Sequence, residues 1–158
     1  MTAIKTIDAD LLARDIRVAI VAARFNSVVV DRLIEGAIDA LVRHGASDKS
    51  LELVRVPGAF EMPLAVKKLA QSRRFDAIVA VGAVIKGDTA HFDFVAGECT
   101  SGIARVALET GVPIGFGVLT CDSLEQAFDR AGGKAGNKGA DAAMAVLEMV
   151  NVLKRLEA

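Results

Sequence analysis

Four short apolar runs rich in β-branched residues recur along the chain: Val18 to Ala23 (VAIVAA), Leu51 to Val56 (LELVRV), Ala77 to Ile85 (AIVAVGAVI) and Pro113 to Leu119 (PIGFGVL). A helical pattern follows each of them. After the first, Leu33, Ile34, Ala37, Ile38, Leu41 and Val42 recur at i, i+4 and i+8, with Gly45 as a stop. The second leads into a shorter pattern from Phe60 to Ser72, and the third into one from about Phe92 to Thr110 that ends at Gly111. The chain closes on a stretch from Asn137 to about Leu156, where Ala140, Ala143, Met144, Leu147 and Val150 form the apolar stripe. Strands that are apolar throughout, rather than alternating, belong to a parallel sheet buried on both faces, because parallel pairing requires helical crossovers.

The fold read from this pattern is α/β: a doubly wound, flavodoxin-like three-layer α/β/α sandwich around a four-stranded parallel sheet. Residues 1–14 stand outside it as an N-terminal arm, alternating weakly through Ile4, Ile7, Leu11 and Leu12 with no crossover partner. The arm is expected to supply a strand that pairs with a neighbouring subunit's sheet edge. Residues 15–158 form one domain.

Length agrees with a single domain, since a chain of roughly 150 residues buries about two-thirds of its unfolded surface. The apolar share of 53% is high, yet no stretch offers the ~20 uninterrupted apolar residues of a membrane span. The excess points to a core and a subunit interface. The opening MTAIKTIDADLLARD lacks a charged region followed by an apolar one, so a cytoplasmic protein is expected. Cys99 and Cys121 sit in no C-x-x-C pair and at no zinc spacing, and are expected as free core thiols, with no metal site. Lys and Arg total 19 against 20 for Asp and Glu, with no basic run and no Trp or Tyr to stack on bases. Nucleic acid is thereby excluded as a partner, and a small-molecule ligand is favoured.

In a parallel sheet all strands deliver their carboxyl ends to one edge, so the loops after the four runs converge there. In the first loop, Arg24 to Ser27, Phe25 either offers a face for a planar heterocycle or packs under the loop, while Asn26 or Ser27 caps the next helix. In the second, VPGAFEMP, Pro57 fixes φ, Gly58 admits a positive φ, and Glu61 either meets a ligand or balances the helix dipole. The third, in GAVIKGDTAHFDFV, places the amides of Gly87, Asp88 and Thr89 at a helix N-terminus suited to an anion, with Asp88 contributing backbone only. His91 lies within one turn of that cradle and is the natural proton carrier near neutral pH, whereas His44 reads as structural. In the fourth, TCDSLEQAFDRAGGKAGNKG, Asp122 or Ser123 caps a short helix, and Arg130 either grips a phosphate or is solvated with Lys134 and Lys138. Phe116, midway along the fourth run, reads as core on its own.

Together these loops resemble the 6,7-dimethyl-8-ribityllumazine synthase family over about residues 12–156. The likeness rests on Arg24-Phe25-Asn26, Pro57-Gly58-Ala59-Phe60-Glu61, Gly82 to Val95 and GFGVLTCDSLEQAFDRAGGKAGNKG from Gly115 to Gly139. It implies a transferase of riboflavin biosynthesis that condenses 5-amino-6-ribitylamino-uracil with 3,4-dihydroxy-2-butanone 4-phosphate without a cofactor. It further implies that Phe25 stacks on the pyrimidine beside Asn26, that Ala59, Phe60 and Glu61 line the ring and ribityl pocket, and that Ala83, Val84 and Ile85 hold the ring edge. Gly87, Asp88, Thr89 and Arg130 then bind the phosphate, His91 carries protons, and Phe116 and Lys138 reach in from a neighbouring subunit. Assembly as a pentamer is implied, with riboflavin synthase as an associated partner. The RAGGKAGNKG loop and a proline-free arm resemble the members that form shells of twelve pentamers.

Lys86 stands where many members carry Arg, and Phe92 and Phe94 where Tyr occurs. The alternative is a catalytically silent homologue that keeps the assembly as a flavin- or lumazine-binding shell.

Overall fold

The two runs with unbroken apolar sequence end in the middle of the sheet. In the computed structural model, which describes residues 3–158, Val18–Ala23 (β1) is buried at all six positions and Ala77–Ile85 (β3) at eight of nine. Leu51–Val56 (β2) and Ile114–Cys121 (β4) flank them in the order β2-β1-β3-β4, all parallel, with Val18 opposite both Leu51 and Ala77 and Ile78 opposite Ile114. Charged Glu52 and Arg55 sit on the edge strand, where one side of the backbone faces solvent.

Helices Ser27–Arg43 (α1), Met62–Gln71 (α2), His91–Thr110 (α3), Leu124–Asp129 (α4) and Lys138–Glu157 (α5) complete the chain, with a two-stranded hairpin of Ala131–Gly133 (β5) and Gly136–Asn137 (β6) before α5. Alternate residues of the central strands divide between two cores. Ile20, Ala22, Val79 and Val81 join Leu33 of α1 and Leu147 of α5, while Val21, Ala23, Ile78 and Ala80 join Val66 of α2 and Ile103 of α3. The result is the expected flavodoxin-like α/β/α sandwich. Small residues bring α5 unusually close: a methyl group on Gly115 would collide with the Ala142 carbonyl, and one on Gly139 with the Leu33 carbonyl.

Two expectations are corrected. The fourth strand runs to Cys121 rather than Leu119, because the ladder continues through Ile85 and Cys121, and Lys86 N–H donates to the Cys121 carbonyl at 2.8 Å. The second helix begins as a 3₁₀ turn at Ala59–Glu61 and becomes α-helical at Met62. The arm, expected to pair with a neighbouring subunit rather than within the chain, forms no strand among the described residues. Residues 3–13 run irregularly, fastened where Asn151 Nδ2 donates to the Asp10 and Leu12 carbonyls and Ala13 N–H to the His44 carbonyl. No helix among the described residues is long and apolar enough to cross a membrane.

Candidate active site

The first loop is tied on both sides. Arg24 N–H donates to the Val56 carbonyl at 2.8 Å and Phe25 N–H to the Pro57 carbonyl at 3.2 Å, which extends the β1–β2 pairing beyond the strands. On the other side Asn26 Nδ2 donates to the Ala83 carbonyl at 2.8 Å. Neither Asn26 nor Ser27 caps α1 with its side chain, so the capping alternative fails. Asn26 occupies the N-cap position in the left-handed region (φ 60°, ψ 43°), and its backbone carbonyl accepts from Val29 and Val30. Phe25 is 73% exposed, so it does not pack under the loop and its ring is open to a ligand.

In the second loop Gly58 is extended, at φ −157°, rather than left-handed as expected. What glycine supplies there is clearance: a Cβ would stand 3.3 Å from Glu61 Oε2. Phe60 is exposed and Ala59 buried, one residue apart on the 3₁₀ turn.

In the third loop Ala83 and Val84 are buried and Ile85 half-buried, and Gly87 has open space around it. Thr89 Oγ1 accepts from His91 N–H at 3.3 Å, an ST-type bond that fixes the backbone at the start of α3. His91 is therefore the first helical residue, and exposed.

These loops enclose one cleft of about 640 Å³ at the carboxyl edge, a size that suits a small-molecule ligand. It brings together Phe25, Asn26, Ala59, Phe60, Glu61, Ala83, Val84, Ile85, Gly87, Thr89 and His91. Phe92, Phe94 and Val95 also line it, and sequence reasoning gave them no role there. Phe94 lies in the first turn of α3 and is 70% exposed, a property the sequence does not display.

Asp88, Phe116, Arg130 and Lys138 are not part of this lining. Asp88 is exposed. Phe116 lies opposite Ala80 on β4 and is 43% exposed, so the reading of it as core fails within this chain. Arg130 is half-buried at the end of a small hydrogen-bonded turn centred on Gln126. Ser123, not Asp122, is the cap: its Oγ accepts from Gln126 N–H at 3.2 Å. Gln126 Oε1 then accepts from Asp122 N–H at 2.8 Å, and its carbonyl from Arg130 Nη1 at 3.0 Å. Lys138 opens α5 and pairs with Asp141 at 3.4 Å, while Asn137 Oδ1 caps that helix by accepting from Ala140 N–H.

Both cysteines are free and buried, as expected. Burial pushes the Cys99 thiol up to about 11. It also raises the Cys121 thiol, although the Arg130 charge pulls the other way. Neither thiol is poised as a nucleophile near neutral pH. Among the described residues no group of three or more His, Cys, Asp or Glu gathers as a metal ion would require. His44 Nδ1 lies 2.6 Å from the Ala40 carbonyl at the end of α1, the structural role expected for it.

The family model described as 6,7-dimethyl-8-ribityllumazine synthase matches residues 15–154. The chain is 59% identical over 156 residues to proteins of that name from Nitratidesulfovibrio vulgaris strains DP4 and Hildenborough, covering 99% of this chain and all of each relative. It is 56% identical over the same length to the one from strain Miyazaki F. The convergent loops, the cleft and these likenesses agree, and the chain belongs to the 6,7-dimethyl-8-ribityllumazine synthase family.

Proposed function

We propose that the chain condenses 5-amino-6-ribitylamino-uracil with 3,4-dihydroxy-2-butanone 4-phosphate to 6,7-dimethyl-8-ribityllumazine, releasing phosphate and two waters, and that the cleft is its active site. The observation that carries the reading is that an exposed aromatic ring, an acidic ribityl-side residue, an open anion cradle and a histidine share one cleft: Phe25, Glu61, Gly87 with Thr89, and His91. Phe25 stacks on the pyrimidine, Asn26 stands beside it, and Ala59, Phe60 and Glu61 line the ring and ribityl chain. Ala83, Val84 and Ile85 border the ring edge. Backbone amides of Gly87, Asp88 and Thr89 receive the phosphate with Arg130, whose side chain is held by the Gln126 turn.

Imine formation, loss of phosphate, ring closure and dehydration each move a proton, and His91 is the group in the cleft suited to carry it. A positioned acid/base contributes ~10²–10⁴-fold, and juxtaposition of two substrates supplies much of the rest. No covalent nucleophile is needed.

We further read the site as shared between subunits, with Phe116 and Lys138 supplied by a neighbour in a pentamer and pentamers assembled into a sixty-subunit shell. Support comes from the apolar surface a single chain leaves open, including Leu53, Phe94, Leu108 and Met149. The N-terminal arm then pairs with the neighbour's sheet edge, and riboflavin synthase is the associated partner.

The test is to mix purified protein with both substrates and follow lumazine fluorescence against the uncatalysed background. Product formation well above background is expected. Tight lumazine binding with no acceleration would select the catalytically silent shell instead.

A further inference from the structure

β1 and β3 are neighbours in the sheet, but their following helices leave toward opposite layers, α1 to the α5 side and α3 to the α2 side. Such a switch point opens a crevice beyond the strand ends, where the main-chain ladder no longer joins the two sides. One side chain bridges it. Asn26 Nδ2 donates to the Ala83 carbonyl at 2.8 Å, a partly buried bond between residues 57 apart in sequence, and both residues line the cleft. Asparagine also suits the left-handed backbone found there, which most side chains adopt at a cost. The same residue's carbonyl anchors the first turn of α1 through Val29 and Val30. One asparagine therefore joins the first loop, the helix behind it and the end of β3.

We propose that Asn26 is a positioning residue: its amide holds the first loop against the end of β3 and so sets Phe25 and Ala83 to Ile85 at the separation the aminouracil ring needs. The inference rests on the reading of the cleft given under Proposed function. With one Nδ2 hydrogen engaged by Ala83, the amide keeps the other N–H and the Oδ1 acceptor for the cleft.

Two substitutions separate this role from direct contact. Asn26→Asp keeps an acceptor and tolerates the backbone but removes the donor; Asn26→Gly keeps the backbone and removes the whole side chain. Calorimetric titration with the aminouracil, which requires no turnover, should give a Kd about tenfold weaker in both, the effect of losing one buried hydrogen bond. The KM for the butanone phosphate should stay near the wild-type value. Hydrogen exchange should quicken in residues 24–30 and 83–87 and not elsewhere.

Wild-type affinity in both variants would overturn the proposal. So would wild-type affinity in Asn26→Asp with weakening only in Asn26→Gly, which would assign a direct contact. Equal weakening toward both substrates with exchange quickened throughout would mean a general structural role, and would overturn it too. If the wild-type protein made no lumazine and bound no aminouracil, the proposed function would fall, while exchange unchanged in residues 24–30 and 83–87 would separately remove the tie.

Discussion

The proposed ring side and the proposed phosphate side of the site are built differently. On the ring side, three successive residues, Arg24, Phe25 and Asn26, are bonded to β2, its following loop and β3, so the position of Phe25 follows from backbone geometry. On the side proposed for the phosphate, the loop from Lys86 to Ala90 is exposed, with Thr89 bonded to His91, and Arg130 arrives on a separate turn after β4. A planar ring is recognised by rigid walls, whose placement main-chain bonds can fix. A phosphate is recognised by charge and amides, which long side chains can deliver from another element or another subunit.

Replacing His91 by Ala should have the largest effect. We expect kcat to fall by ~10² or more, within the range for loss of a general acid/base, while calorimetric binding of the aminouracil stays near wild type. Full speed in this variant would remove the acid/base assignment. Arg130→Ala should sharpen the contrast between the two sides. The KM for the butanone phosphate should rise roughly 10- to 100-fold, as for charged hydrogen bonds, with aminouracil binding unchanged. Equal losses for both substrates would mean that the two sides are not separable.

A smaller recovery tests whether the phosphate side borrows from a neighbour. His91→Ala and Lys138→Ala should each be slow alone, and their co-expression should restore part of the activity in mixed assemblies, because some sites then receive both intact residues. Co-expression no better than the average of the single variants would place the whole site in one chain.

The smallest effect serves as a control at the opposite edge of the sheet. Burial alone would raise the Asp76 carboxyl. The side-chain and backbone hydrogen bonds from Arg17, its charge, and Lys154 nevertheless leave it below its ordinary value of 3.8. A carboxylate depressed in the folded state stabilises the fold above its unfolded value and loses that contribution as pH falls through the folded one. Asp76→Asn should therefore lower the melting temperature slightly at pH 7, and the difference from wild type should shrink below about pH 4. Neither substrate's KM should move.

Much of the site was legible because parallel strands must deliver their following loops to one edge. Phe25, Glu61, Gly87 and His91 could be grouped without knowing the helix positions. The misreadings have a common cause. Gly58 was given a positive φ from its Pro-Gly context, but the space it leaves is for a side chain three residues on. Asn26 was one of two candidates to cap α1, a local bond, and instead reaches a residue 57 positions away. The hairpin of β5 and β6 carried no strand signal, since Ala131 to Asn137 is mostly glycine and alanine, with little side chain to report a preference.

The order of strands and helices, the burial of β1 and β3 and the edge where the chemistry collects were determined by the sequence alone, through hydrophobic periodicity and the requirement that parallel strands be joined by crossovers. Which asparagine donates to which carbonyl, how closely α5 approaches through Gly115 and Gly139, and which surfaces line the cleft with Phe94 were decided only by the tertiary structure. Those features depend on distances between segments far apart in the chain, and no local preference of a residue encodes such a distance.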